Sequence, residues 1–241
     1  MSNNTENGSL RIGWASQDVT PDRPVSLRGQ FRVRVSTAVR DPLTVTALAL
    51  ESADEQCVMV SVDRVGIPED ILAGVRGKLA DLAPDLSPEK LLISATHTHA
   101  APGTDDSRHE DLGPDVMKPS DYGQLLIDRT ATCVADAWNG RSTGSLSWGC
   151  GQAVVGFNRR QVKLDGTSQM YGDTSTDDFS HIEGYEDHGV DMLFTYAPDG
   201  AVTGMVINLA CPSQVTESDH LVSADFWHET RSEIRRRHGE G

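Results

Sequence analysis

The sequence predicts an α/β fold, and three observations predict it. An apolar strand at 57–63, an amphipathic helical period at 68–82 and a second apolar strand at 90–95 follow one another in the order of a βαβ unit. A further apolar strand at 43–51 precedes them across the polar turn 52–56, so 43–51 and 57–63 read as a hairpin. A second helical period, 121–138, carries Leu125, Leu126, Cys133, Val134, Ala137 and Trp138 on one side.

Taken in order, residues 1–9 are polar and Asn-rich and are expected to be disordered, so one domain is expected over 10–241. Residues 10–15 read as a strand, with Asp18-Val19-Thr20-Pro21 as its exit. Residues 22–40 are rich in Arg and Gly without periodicity; a loop of that length inside a compact domain is often functional, the alternative being a mobile surface segment. In the first helix Ile71, Leu72, Val75, Leu79 and Leu82 recur near the 3.6-residue period, and Pro68 stands where a helix can start. Gly74 and Gly77 each weaken it by about 1 kcal/mol relative to Ala, so packing must hold it.

Residues 103–119 are acidic, with Asp105, Asp106, His109, Glu110, Asp111 and Asp115. Their spacing departs from a regular calcium loop, which leaves a solvated loop. Ser120 is the expected cap of the second helix. Strand-like residues 145–157 lead into Asn158-Arg159-Arg160, a pair of arginines that either clamps a carboxylate or phosphate or is simply solvated. A polar insertion at 163–189 holds His181 and His188. Two strands, 191–197 and 202–210, then flank the turn Pro198-Asp199-Gly200, and an Arg-rich helix is expected at 227–237.

The totals narrow the function. Among 241 residues the formal net charge is −15, which argues against nucleic-acid binding over most of the surface. Cys57, Cys133, Cys150 and Cys211 form no Cys-x-x-Cys pair, and Cys57 and Cys133 are expected to be buried as small apolar groups. No apolar stretch is long enough for a transmembrane helix, and the N-terminus lacks the pattern of a signal peptide, so the cytoplasm is the default location. Oligomeric state leaves no mark in the sequence.

The stretch with the most chemistry is Ser94-Ala95-Thr96-His97-Thr98-His99-Ala100-Ala101-Pro102-Gly103. It follows a buried strand and ends in Pro-Gly. In extended chain residues i and i+2 face the same side, so both imidazoles are expected in one cleft at the carboxyl end of a strand, where ligands bind in open α/β sheets. Neutral imidazole is a good zinc ligand. Asp63 ends the neighbouring strand as a carboxylate, either capping a helix or sharing that cleft.

Several landmarks occur together: Ile12-Gly13-Trp14-Ala15, Asp18-Val19-Thr20-Pro21, Asp41-Pro42-Leu43, Val60-Ser61-Val62-Asp63, the His97-Thr98-His99 stretch, Gly156-Phe157-Asn158-Arg159-Arg160, Asn208-Leu209-Ala210-Cys211 and Ser223-Ala224-Asp225-Phe226. In that order they resemble the N-terminal catalytic domain of the neutral/alkaline non-lysosomal ceramidases and their bacterial relatives. The resemblance implies mixed β-sheets covered by helices. It implies a zinc-dependent hydrolase of an amide (N-acyl) bond, acting on a small-molecule or lipid-like substrate. By the same resemblance His97 matches a zinc ligand and His99 a neighbouring histidine of the active-site cleft, a catalytic role in which Asp63 is its candidate companion. Asn158 and Arg159 are candidate substrate-binding residues. Where the family has its second zinc histidine this chain has Cys211-Pro212-Ser213, so Cys211 as thiolate, or His181 or His188, is the candidate replacement. The family's remaining ligands, a Glu and a Tyr, and its serine loop come from sequence beyond the last helix, so an incomplete C-terminal side is expected. The rival expectation is a metal-free binding or scaffold protein that kept the fold. A metallo-β-lactamase-type site is weaker, because its motif wants Asp-His where Ala101-Pro102 stands.

Overall fold

The computed structural model describes residues 9–106 and 112–239. The expected disorder of residues 1–8 and the acidic-loop residues His109, Glu110 and Asp111 lie outside them. Its elements in order are β1 (Arg11–Asp18), β2 (Ser26–Leu27), β3 (Arg34–Val35), β4 (Ala38–Val39), β5 (Thr44–Glu51), β6 (Gln56–Val62), α1 (Glu69–Leu82), β7 (Leu91–Ala95), α2 (Pro119–Asn139) and β8 (Ser142–Thr143). They continue with β9 (Ser145–Gln152), β10 (Arg160–Lys163), β11 (Ser168–Met170), β12 (Phe179–Ile182), β13 (Gly189–Tyr196), β14 (Val202–Leu209), β15 (Leu221–Val222) and α3 (Phe226–His238). This is a mixed α/β fold with several sheets.

The chain forms two compact units. The first takes the chain up to Ser145, Thr195–Gly204 and the segment from Ser213 onward; the second takes Leu146–Phe194 and Met205–Pro212. The first unit is built on a five-stranded sheet of order β7-β6-β5-β1-β8. The β5–β6 pair is the expected hairpin, with Val45 opposite Val62 and Glu51 opposite Gln56. β6 and β7 are parallel, joined through α1, as the βαβ pattern requires. α2 lies against β1, β5 and α1. The core between sheet and helices contains Val45, Ala47, Val58, Val60, Ile71, Val75, Leu79, Leu126, Val134 and Trp138.

Local departures from expectation have local causes. Ser120 does not cap α2. The helix begins at Pro119, which has no N–H to satisfy, and the Ser120 N–H is the first that needs an acceptor. Asp106 Oδ1 accepts it at 3.0 Å. Cys57 is only half-buried, whereas Cys133 is fully buried with its thiol 3.3 Å from the Ala15 carbonyl, and burial pushes that thiol up to about 12. The 22–40 segment is not structureless. β2 and β3 pair antiparallel, and β4 pairs in parallel with β15.

The second unit contains the sheet β11-β10-β12 and most of the sheet β14-β13-β9. Asn158, Arg159 and Cys211 belong to this unit, and His97, His99 and Asp63 to the first.

Candidate active site

β7 ends at Ala95, and Thr96 continues the parallel pairing by donating its N–H to the Val62 carbonyl at 3.0 Å. The chain then leaves the extended conformation. His97 has φ 61°, in the left-handed region that non-glycine residues adopt at a cost of about 1–3 kcal/mol. Strand alternation therefore does not bring the two histidines together, as the sequence predicted; a turn at His97 does. The rings lie 5.0 Å apart, tilted by 52°. They differ in setting: His97 is exposed, and His99 is buried, at 8% exposure.

The turn is held from several directions. Thr98 is fully buried and donates its hydroxyl to the Ser223 carbonyl at 2.8 Å. Ser213 donates its hydroxyl to the Thr96 carbonyl at 2.7 Å, and its own carbonyl accepts the His99 N–H at 3.3 Å. Ser223 N–H reaches the Ala100 carbonyl. The Asp41 carboxylate accepts from Ser223 Oγ and Ala224 N, both at 2.6 Å, and Asp225 accepts from Thr216 N and Oγ1. Asp41-Pro42 and Ser223-Ala224-Asp225 thus share one hydrogen-bonded scaffold behind the histidine turn.

Arg34, almost fully buried, donates to the carbonyls of His99 at 2.6 Å, Arg28 at 3.0 Å and Asp219 at 2.7 Å. It ties the 22–40 segment to the histidine turn. Gly29, at φ +102°, closes the same joint: a Cβ there would stand 2.2 Å from His99 Cγ, so only glycine admits the ring. Neither residue stood out as a site residue in the sequence. The available signal was the Arg28-Gly29 step and Arg32 to Arg34 inside an otherwise unpatterned loop.

His99 Nδ1 lies 3.1 Å from Glu217 Oε2, and Gln214 Nε2 lies 3.1 Å from both ring nitrogens and donates to Glu217. Burial, followed by the neighbouring His97, lowers the His99 pKa; Glu217 opposes this and is outweighed. Asp63 has no exposed surface. Arg231 grips its carboxylate with two bonds of 2.7 Å, and it also accepts from Thr44 N, Thr44 Oγ1 and Thr96 Oγ1 at 2.9, 3.0 and 3.1 Å. With its oxygens so occupied, Asp63 fixes the start of the histidine turn through Thr96.

In the second unit, Asn158 N–H donates to Glu186 Oε1 at 2.9 Å, and its side-chain amide donates to the Glu183 carbonyl. Arg159 stacks over the Tyr171 ring, 4.4 Å from its centre. Cys211 Sγ lies 3.4 Å from the Pro212 carbonyl, and His181 Nδ1 lies 3.0 Å from Ser180 Oγ. Among the described residues no group of three or more His, Cys, Asp or Glu side chains could hold a metal ion.

No family model and no curated protein matches this sequence. Its fold is similar to that of neutral ceramidase from Pseudomonas aeruginosa, with a TM-score of 0.70 and 20% identity over 90% of this chain and 34% of that one. A structure described as ceramidase complexed with C2 is similar at TM-score 0.67 and 19% identity, over 90% of this chain and 34% of that one. The chain thus has a ceramidase-like fold and spans about a third of the length of those proteins. No helix among the described residues is long and apolar enough to cross a membrane.

Proposed function

We propose that residues 10–241 carry the histidine part of a ceramidase-like catalytic domain that hydrolyses an amide (N-acyl) bond in a small-molecule or lipid-like substrate. The observation that supports this best is the His97 turn. An exposed imidazole is fixed by a left-handed backbone at the end of β7, beside a buried His99, in a fold shared with neutral ceramidase. Such scaffolding fits a side chain that meets a ligand.

Zinc is the cofactor expected of a site of this kind, with His97 and Cys211 as candidate ligands. A catalytic zinc takes about three protein ligands and an open position. The described donors do not supply that set, so they do not fit a complete zinc centre, and no step is derived through a metal. The chain's own residues can do the following. His97 presents an exposed imidazole whose ring N–H can donate a hydrogen bond to a substrate carbonyl. His99, its pKa lowered first by burial, packs beside that imidazole and is the candidate for binding or orienting substrate. Asp63 positions the turn. Asn158 and Arg159 are the candidate substrate-binding pair of the second unit.

The lack of a three-donor group among the described residues supports one alternative, a metal-free binding protein that kept the fold. Metal analysis of the purified chain, together with hydrolysis of a fluorogenic short-chain N-acyl amide, separates the two. The hydrolase predicts turnover that falls at least 100-fold in His97→Ala while the circular dichroism spectrum is kept. A wild-type chain that binds the N-acyl amide without turning it over, and holds no zinc, supports the binding protein.

A further inference from the structure

The residue after Asp63 presents a different problem. Arg64 is 5% exposed, and its Nη2 donates to Thr104 Oγ1 at 3.1 Å. Its Nε and Nη1 are buried and have no hydrogen-bond partner among the described residues. Nε carries one N–H and Nη1 two, so most of a permanently charged group is removed from water without an acceptor. Structures rarely leave such donors unmet unless something outside the chain meets them.

The surroundings do not neutralise the charge. Burial disfavours the Arg64 charge most; Tyr122 and then Asp70 oppose this, and Arg28 adds to it. Arg28 is itself set in place. Its main chain is fixed through its N–H to Ala101 and its carbonyl to Arg34, at 2.9 and 3.0 Å. Its side chain lies flat across Gly103, where a Cβ would come within 2.9 Å of the Arg28 Cγ and Cδ. Gly103 precedes Thr104, so one short segment supplies both the bed for Arg28 and the hydroxyl for Arg64. Arg64 at the carboxyl end of β6, buried with unmet donors, and Arg28 over Gly103 are like charges that an anion would offset.

We propose that Arg64 and Arg28, with the Thr104 hydroxyl, bind an oxyanion, a carboxylate or phosphate group. Arg64 supplies the buried charge and the open N–H donors. Arg28, half-buried, forms the outer wall past which the ligand enters. The site uses none of His97, His99 or Asp63 and does not depend on the hydrolase reading.

The test is thermal unfolding of the full chain in sodium phosphate, sodium acetate and sodium chloride at matched ionic strength, with titration calorimetry for phosphate and acetate. A saturable rise in Tm with phosphate or acetate, absent with chloride, is expected. Response to phosphate alone identifies a phosphate site, response to acetate alone a carboxylate site, and response to both a general oxyanion site. Arg64→Met is expected to lose the saturable rise while being at least as stable as wild type in chloride, because it removes an unpaired buried charge. If that variant does not fold, Arg28→Ala, on a half-buried position, is expected to weaken anion binding at least tenfold. A wild-type chain that does not distinguish the three salts overturns the proposal, as does an unchanged anion response in Arg28→Ala and in any folded Arg64→Met.

Discussion

Arg231 on α3 and Asp63 at the end of β6 form a two-bonded ion pair, 2.7 Å at each contact, between residues 168 positions apart in the chain. The carboxylate is wholly buried and also receives both hydrogen-bonding groups of Thr44 and the hydroxyl of Thr96. Removing one partner of such a pair leaves the other charge in the interior without its counterion. Arg231→Met is therefore expected to lower unfolding free energy by about 3 kcal/mol, read from urea denaturation. An unchanged midpoint would show that the carboxylate is satisfied by the threonines alone.

Gly29→Ala tests the joint against His99. The added carbon meets the imidazole at 2.2 Å, and the backbone is in the left-handed region. A loss of roughly 1–3 kcal/mol is expected, with a shift of the His99 ring resonances in NMR while those of His181 stay in place. Coincident spectra would mean that the two segments do not touch in solution.

His99 makes stability depend on pH in a defined direction. Its pKa in the fold lies below the ordinary histidine value of 6.5, first because of burial and then because of His97. Between the folded and unfolded values the unfolded chain binds more protons, so stability rises with pH there. The contribution is complete above the unfolded value and is lost as pH falls through the folded one. His97→Ala removes one cause of the depression, so the His99 titration followed by NMR moves upward. A downward movement would contradict the arrangement.

Arg34→Met removes the donor shared by the carbonyls of His99, Arg28 and Asp219. A loss of roughly 3 kcal/mol is expected, since buried acceptors left unmet cost about 1–3 kcal/mol each and part of this is recovered by relaxation. Amide exchange at His99 and Ala100 should quicken more than at Val60 in β6. Equal quickening at all three would indicate general destabilisation without a specific role at the turn.

The sheet and its two packed helices were legible because their signals are local. Ile71, Val75 and Leu79 recur at the helical period, and the apolar run of β6 leads directly to Asp63. The histidine turn was legible as a place but not as a shape, since nothing in Thr96-His97-Thr98 announces a left-handed residue at position 97. Arg34, Gly29 and Arg231 were illegible for another reason. Each acts on a residue more than sixty positions away, and a single sequence carries no pattern for such pairings. The two units were hidden as well. β13 and β14 run through the division without a break, so no linker composition marks it.

That long span between Asp63 and Arg231 also fixes an order of events during synthesis. At 5–20 residues per second, roughly 10–30 s separate the appearance of the carboxylate from that of its partner. The hairpin, α1 and β7 can form in that interval, yet the carboxylate at their edge has no counterion until α3 emerges. A nascent chain therefore carries a nearly finished sheet with an unlocked histidine turn. The contacts to that turn from Ser213, Ser223 and Arg231 all come from sequence that emerges last, so the turn is completed late.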